Sequence, residues 1–335
     1  MNLVSPSSGL STRPRAELSV IVPVYSCAGT LLPLHARLTE VLSTLVGSHE
    51  IVFVDDRAND GAWQVLQELA AEDPSVVACR MSRNVGQQLA ITAGLAQCSG
   101  ACAVVMDCDL QDPPEVIPAL LEAARNGADV VYAKRKSDHQ SARRMFANRA
   151  YFGILGFVLS QRFDGELGAF SLISRRVIDA FLQYRERDRH YLMILREIGF
   201  ESRTIEYVRA PRTVGRSSYT LPKLIAHALS GMVFTTTRVL HGVIYAGLIM
   251  AGLGVLMALL VIMLWLLQGA APGWTSLIVA QLLIGGVMTL CLGLTGLYVG
   301  KIFEGVQQRP LYFVQERLDA SNRLDRHAAG AASEF

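Results

Sequence analysis

Short apolar runs alternate with amphipathic stretches along the first 135 residues. Runs at residues 18–24, 50–54, 76–81, 101–106 and 129–133 have the length and continuity of strands buried on both faces. Between them, residues 30–45, 61–71, 86–96 and 114–126 repeat their apolar positions at helical spacing. Asp60 is a candidate N-cap for the second helix, the third is entered through Asn84 and Gly86, and Pro114 stands in the first turn of the fourth. Strands alternating with helices of roughly ten to fifteen residues predict an α/β fold on a mostly parallel sheet. Ligands of such open sheets bind beyond the carboxyl ends of the strands. Tyr25 follows the first strand, Asp55 and Asp56 the second, and Asp107 and Asp109 the fourth.

The pattern changes towards the C-terminus. Residues 243–267 and 277–299 are apolar and free of charge, and each exceeds the roughly 20 residues a bilayer span requires. Two transmembrane helices are expected. The loop between them, residues 268–276, carries no charge, whereas Arg209, Arg212, Arg216, Lys223 and Arg238 precede the first span and Lys301, Arg309 and Arg317 follow the second. The positive-inside rule then places both flanks, and with them the catalytic domain and both termini, on the cytoplasmic side of an inner membrane. Residues 223–238 have apolar positions at helical spacing between two cations, as an interfacial helix would. Residues 143–160 read equally as a second such helix or as a core helix. The expected layout is a disordered N-terminus (1–17), a cytoplasmic α/β domain (18–220), a juxtamembrane helix (221–238), a two-helix hairpin (239–302) and a cytoplasmic tail (303–335).

Composition sharpens this picture. The hydrophobic content of 51% is high for a soluble protein, and the excess sits in the two spans. A net charge of +2 says little about nucleic acid, but no basic-aromatic patch is present, and no nucleic-acid partner is expected. The six cysteines match no common zinc spacing and are scattered through core positions, so a disulfide framework is not expected and a reducing compartment fits. Residues 1–17 contain no apolar stretch resembling a signal peptide.

The candidate chemistry is concentrated in Asp107-Cys108-Asp109 at the end of the fourth strand. Carboxylates at i and i+2 of extended chain lie on the same side. Bringing two together costs free energy unless a cation joins them. Mg²⁺ favours one or two carboxylates completed by substrate phosphates, which suggests a metal–diphosphate site. A solvated acidic turn is the alternative for a lone Asp-x-Asp.

The surrounding motifs carry a more specific resemblance. They are Ser19-Val-Ile-Val-Pro-Val-Tyr25, Phe53-Val-Asp-Asp56 with Asp60-Gly61, Arg83-Asn-Val-Gly86, Met106-Asp-Cys-Asp-Leu-Gln-Asp-Pro-Pro-Glu115, Phe170-Ser-Leu-Ile-Ser-Arg175 and Arg212-x-x-Gly215-x-Ser217-x-Tyr219. Together with the two spans, they resemble family 2 glycosyltransferases of the GT-A fold class, in the branch of dolichol-phosphate mannose synthase and bacterial polyprenyl-phosphate glycosyltransferases. The resemblance implies a GT-A catalytic domain and inverting transfer of a sugar from a nucleotide-sugar to polyprenyl (undecaprenyl) phosphate. It implies that Pro23, Tyr25, Asp55, Arg83 and Asp107 meet the nucleotide-sugar. Asp109 and Gln111 would hold Mg²⁺ or Mn²⁺ with the donor diphosphate, and Asp107, Asp109 and Arg212 would carry catalysis. Arg135, Ser171, Arg212 and Arg216 are the expected contacts of the acceptor phosphate. Oligomers, tetramers among them, occur in the family, so a homo-oligomer is expected.

Several positions depart from the family pattern. The first loop usually reads Tyr-Asn-Glu but here is Tyr25-Ser26-Cys27; Gly-Ser after the Asp pair is replaced by Arg57-Ala58; Phe-Arg-Leu is replaced by Phe170-Ser171-Leu172; and Ser218 stands where lysine is common. Arg135, Arg143 and the run Arg185, Arg187, Arg189 are candidates for the displaced arginine. His139, His190 and Glu166 are candidate bases, although a polyprenyl phosphate ionised near neutral pH needs little activation. Two rivals remain. A processive polysaccharide synthase usually carries Gln-x-x-Arg-Trp, which the tryptophans at 63, 265 and 274 do not fit. A non-catalytic accessory subunit would keep the fold without turnover.

Overall fold

The structure, a computed structural model of the 335-residue chain, describes residues 16–136, 167–186, 189–209, 256, 263 and 274–319. These fall into two compact units: residues 274–309 belong to the second, along with 256 and 263, and the rest to the first.

The first unit opens with β1 (Leu18–Val24), α1 (Ala28–Leu45), β2 (His49–Asp55), α2 (Ala62–Glu72), β3 (Val76–Met81), α3 (Gln87–Gln97) and β4 (Cys102–Val105). A 3₁₀ turn (Pro114–Val116) leads into α4 (Ile117–Arg125) and β5 (Val130–Arg135). After the undescribed residues 137–166 come β6 (Leu167–Ser174), α5 (Arg175–Gln183), α6 (Tyr191–Ile198) and β7 (Ser202–Tyr207), and a last strand, β8 (Val314–Leu318), returns to this unit. The five strands and four helices expected from the apolar pattern are present, with ends shifted by one or two residues. Only the first turn of the fourth helix is tighter than expected, being 3₁₀.

The sheet order is β7-β5-β6-β4-β1-β2-β3-β8. It is mostly parallel, but β6 runs antiparallel to both β4 and β5, and β8 runs antiparallel to β3. The apolar runs are continuous because both faces are covered. Leu31, Leu34, Leu38, Trp63, Leu66 and Leu120 of α1, α2 and α4 pack on one face. Ile91, Leu95, Val177, Phe181, Ile194 and Leu195 of α3, α5 and α6 pack on the other. Gly94 lets α3 approach β1: a Cβ there would collide with Ile21 Cγ2 and lie 3.2 Å from Val54 Cγ2. Gly94→Ala is expected to cost about 1–3 kcal/mol by overpacking, read as a lowered denaturation midpoint in urea; an unchanged midpoint would contradict this tight helix–sheet contact.

Two local expectations change. Gly61, at φ 86°, is the N-cap of α2, and the Asp60 carboxylate instead accepts from the N–H groups of Ala62 (3.2 Å) and Ala28 (2.9 Å), so one side chain serves the starts of two helices. Ala16 and Glu17, placed with the terminal region, are hydrogen-bonded into the domain: Ala101 N–H donates to Ala16 O (2.9 Å) and Glu17 N–H to Ser48 O (3.0 Å).

The described part of the second unit is dominated by α7 (Trp274–Val306), 33 residues long. It contains the second charge-free run and exposes Leu277, Ile284, Met288, Leu292 and Val299. Counted over the described residues, no helix is long and apolar enough to cross a membrane. The first charge-free run, apart from residues 256 and 263, and both expected interfacial helices lie outside the described residues.

Candidate active site

The chain runs from β1 outward to β2 and β3, then returns to β4 on the other side of β1. The chain thus reverses its direction across the sheet between β1 and β4, the switch point beyond whose strand ends ligands of such sheets bind. The parallel register sets Val24 beside Asp55 and Ile21 beside Val105, so the acidic ends of β2 and β4 flank the end of β1.

Asp107 lines a cavity there, together with Gln87, Gln88, Arg135, Gly168 and His190. Gln87 Nε2 donates to Asp107 Oδ1 at 2.6 Å. Burial, with Asp112 and then Asp109 close by, pushes the Asp107 carboxyl up to about 6, against the pull of Arg135 and Arg209. Asp109 turns its Oδ1 onto the Gln111 N–H (3.1 Å), and its Oδ2 lies 3.9 Å from Arg209 Nη2. The fully buried Asp112 accepts from the Tyr207 hydroxyl and faces Arg209 Nε at 3.7 Å. Arg135 is hydrogen-bonded to Tyr207 and held in its charged form by Asp112 and Asp107. Gly168 leaves room for it, since a Cβ there would lie 2.5 Å from Arg135 Nη2. Three carboxylates thus face two guanidinium groups and a phenol. Among the described residues no group of three His, Cys, Asp or Glu side chains is set to hold a metal by itself.

The acid pair after β2 is committed to structure. Asp55 is fully buried, accepting from Ala58 N–H (3.2 Å) and paired with Arg80 Nε (3.2 Å), and burial raises its carboxyl above the usual range. Asp56 accepts from the N–H groups of Val85 (2.7 Å) and Gly86 (2.8 Å), so it shapes the loop that enters α3. Pro23 is buried in β1 opposite Val54, whereas Tyr25 stands 58% exposed just past the end of β1. Arg83 is exposed on the loop before α3.

Two expectations for the acceptor side are corrected. Ser171 is fully buried, and its hydroxyl meets Tyr191 Oη (2.9 Å) and Ala169 O (3.0 Å), which ties α6 to the sheet and leaves it off the cavity wall. Arg189 is also buried; it donates to Phe181 O (2.8 Å) and Tyr184 O (2.9 Å) and lies over the Phe181 ring, so its charge closes the α5–α6 turn. Arg185 is exposed, and His190 caps α6 at the cavity wall. Arg212, Arg216, Arg143, Arg187, His139 and Glu166 lie outside the described residues. Sequence reading missed Asp112, Tyr207, Arg209, Gln87 and Gln88 as members of this constellation.

The cysteines bring a further correction. Cys27, after β1, is disulfide-bonded to Cys108, between Asp107 and Asp109. Cys79, Cys98, Cys102 and Cys291 are free.

Comparison with known proteins places this geometry. Residues 19–182 match the family described as Glycosyl transferase family 2. The chain is 34% identical over 311 residues to an uncharacterized glycosyltransferase of Bacillus subtilis, covering 92% of this chain and 96% of that one. It is 33% identical over 303 residues to a bactoprenol glucosyl transferase of Shigella phage SfII, covering 90% and 98%. It is 33% identical over 305 residues to the undecaprenyl-phosphate 4-deoxy-4-formamido-L-arabinose transferase of Proteus mirabilis, covering 90% and 93%. On its mixed α/β sheet, its acidic cluster at the strand ends and this near full-length similarity, the chain is a glycosyltransferase and belongs to glycosyl transferase family 2.

Proposed function

We propose that this enzyme transfers a sugar from a nucleotide-sugar to a polyprenyl phosphate at the cytoplasmic face of the inner membrane. The observation that carries the reading is the cluster of Asp107, Asp109 and Asp112 against Arg135 and Arg209 beyond β4, in a chain similar from end to end to bactoprenol and undecaprenyl-phosphate sugar transferases. Tyr25 and Arg83, both exposed, are the residues that would border the nucleotide, whereas Asp55 is spent on Ala58 and Arg80 inside the fold. Asp109 and Gln111 are the residues that would hold Mg²⁺ or Mn²⁺. Their hard oxygen donors suit such an ion, whose remaining positions donor phosphates would complete. The ion would neutralise charge building on the departing nucleoside diphosphate.

The chain's own residues do the rest. Gln87 orients Asp107, and Asp107 faces the donor as a carboxylate. Arg135 and Arg209 present guanidinium groups to anionic oxygen, a role we extend to Arg212 and Arg216 from their place in the sequence motif. The ionised acceptor phosphate attacks the anomeric carbon in line, and an α-linked donor yields a β-linked lipid-phosphate sugar.

Asp107 sets a pH dependence. Its carboxylate dominates only above about 6, so the KM for the donor is expected to rise as pH falls from 7 to 5, because the protonated carboxyl is a weaker acceptor for the donor's hydroxyl groups. A donor KM flat across that window would contradict the role given to Asp107. The reaction itself is tested by mass spectrometry of the lipid product. A single sugar added through phosphate supports the proposal; polymer growth on donor alone favours a processive synthase; no product with any donor favours an accessory subunit.

A further inference from the structure

The disulfide ties together the segments that follow the adjacent parallel strands β1 and β4, at residues 81 apart in sequence. Thr30, in the first turn of α1, registers the same two segments: its hydroxyl lies 2.8 Å from Cys27 O and 2.6 Å from Cys108 O. The Arg37–Glu115 ion pair ties α1 to the turn beyond (2.6 Å). The loops therefore stay close without the covalent bond, so the bond is free to open and close without dismantling the fold. Its two residues differ in exposure: Cys27 is half-buried and Cys108 is buried. Burial pushes the free thiols of Cys79 and Cys102 up to about 12 and about 11, which makes them poor competitors for exchange. Disulfides of reducing compartments are usually transient and redox-sensing rather than structural.

We propose that Cys27 and Cys108 form a thiol–disulfide exchange site, served by dithiol proteins of the Cys-x-x-Cys class, that sets the affinity of the Asp107–Asp109 loop for its metal–nucleotide ligand. The inference rests on the reading of Asp109 as a metal ligand. In reduction, a thiolate of the dithiol attacks Cys27 Sγ, in the more exposed of the two residues. The electron pair of the S–S bond leaves on Cys108 Sγ, which takes up a proton. The second sulfur of the dithiol then displaces Cys27 from the mixed disulfide. The protein gains two thiols, and the dithiol becomes a disulfide. The linked state holds Asp107 and Asp109 in the arrangement described above. Opening the bond leaves the segment between β4 and the 3₁₀ turn tied to α1 by hydrogen bonds and an ion pair alone, so Asp107 and Asp109 gain local freedom that the ligand must remove on binding.

The test uses the full-length protein in detergent, with Mn²⁺ and UDP, GDP or dTDP titrated before and after treatment with a dithiol. Alkylation and mass spectrometry follow the thiols. Reduction is expected to expose Cys27 and Cys108 together and to weaken binding of the recognised nucleotide by about tenfold. Cys27→Ser is expected to show the weaker affinity under both conditions, and the reduced wild type gives the same readout should that variant fold poorly. Equal affinity in the two verified redox states, tighter binding after reduction, or freely alkylated Cys27 and Cys108 without reductant would each overturn the exchange site. Binding of none of the three nucleotides in either state would instead overturn the metal assignment at Asp109, and this inference with it.

Discussion

Asp109→Ala is expected to lower sugar transfer by about 1,000-fold or more while leaving the fold intact, because a preorganised charge at the reacting diphosphate is worth at least that much. The stability side follows from the same electrostatics. Asp109 stands with Asp107 and Asp112 in one acidic cluster, and among the described residues its ion-pair partner is Arg209, 3.9 Å away. Removing one of three like charges relieves repulsion in the metal-free protein. Thermal unfolding of the variant is therefore expected at or above the wild-type temperature. Activity near wild type, or a collapse of the fold, would each contradict the assignment: the first removes Asp109 from the site, and the second makes it structural.

Arg135→Ala is expected to cost about 100-fold in transfer, with a signature that a packing defect lacks. The guanidinium lowers the Asp107 carboxyl and compensates the fully buried Asp112. Without it, Asp107 rises further above about 6, and the acid limb of the pH profile moves to higher pH. Arg135→Lys keeps the charge but loses the planar fork, so it restores the pH profile more fully than the rate. A uniform loss of rate with an unmoved pH profile would show that Arg135 serves only to hold β5 and β7 together.

The parallel half of the sheet was legible because strands buried on both faces leave continuous apolar runs, as in 18–24 and 76–81. β6 escaped because Leu167–Ser174 mixes glycine and serine with its apolar residues and inserts between β4 and β5, strands far from it in sequence. β8 escaped for a different reason. Val-Gln-Glu-Arg-Leu is polar at three positions, and an edge strand that pairs only through β3 needs no apolar run.

The site divides in the same way. Asp107 and Asp109 announce themselves by adjacency at a strand end. Arg209 was counted among the cations that orient a membrane span, and nothing in its neighbours distinguishes that role from an ion pair with Asp112. Ser171 and Arg189 sit in suggestive motifs, yet their polar atoms are used internally. The Cys27–Cys108 bond joins residues whose spacing carries no pairing signal, since connectivity follows from topology.

The central claim is sugar transfer to a polyprenyl phosphate. It is tested most directly with membranes containing this protein, supplied with undecaprenyl phosphate, Mg²⁺ or Mn²⁺, and radiolabelled UDP-, GDP- and dTDP-sugars in turn. The account predicts one labelled, organic-extractable lipid, dependent on both the metal and the added lipid phosphate and absent with Asp109→Ala. Label that enters no lipid across the full panel, from a folded protein, would contradict it.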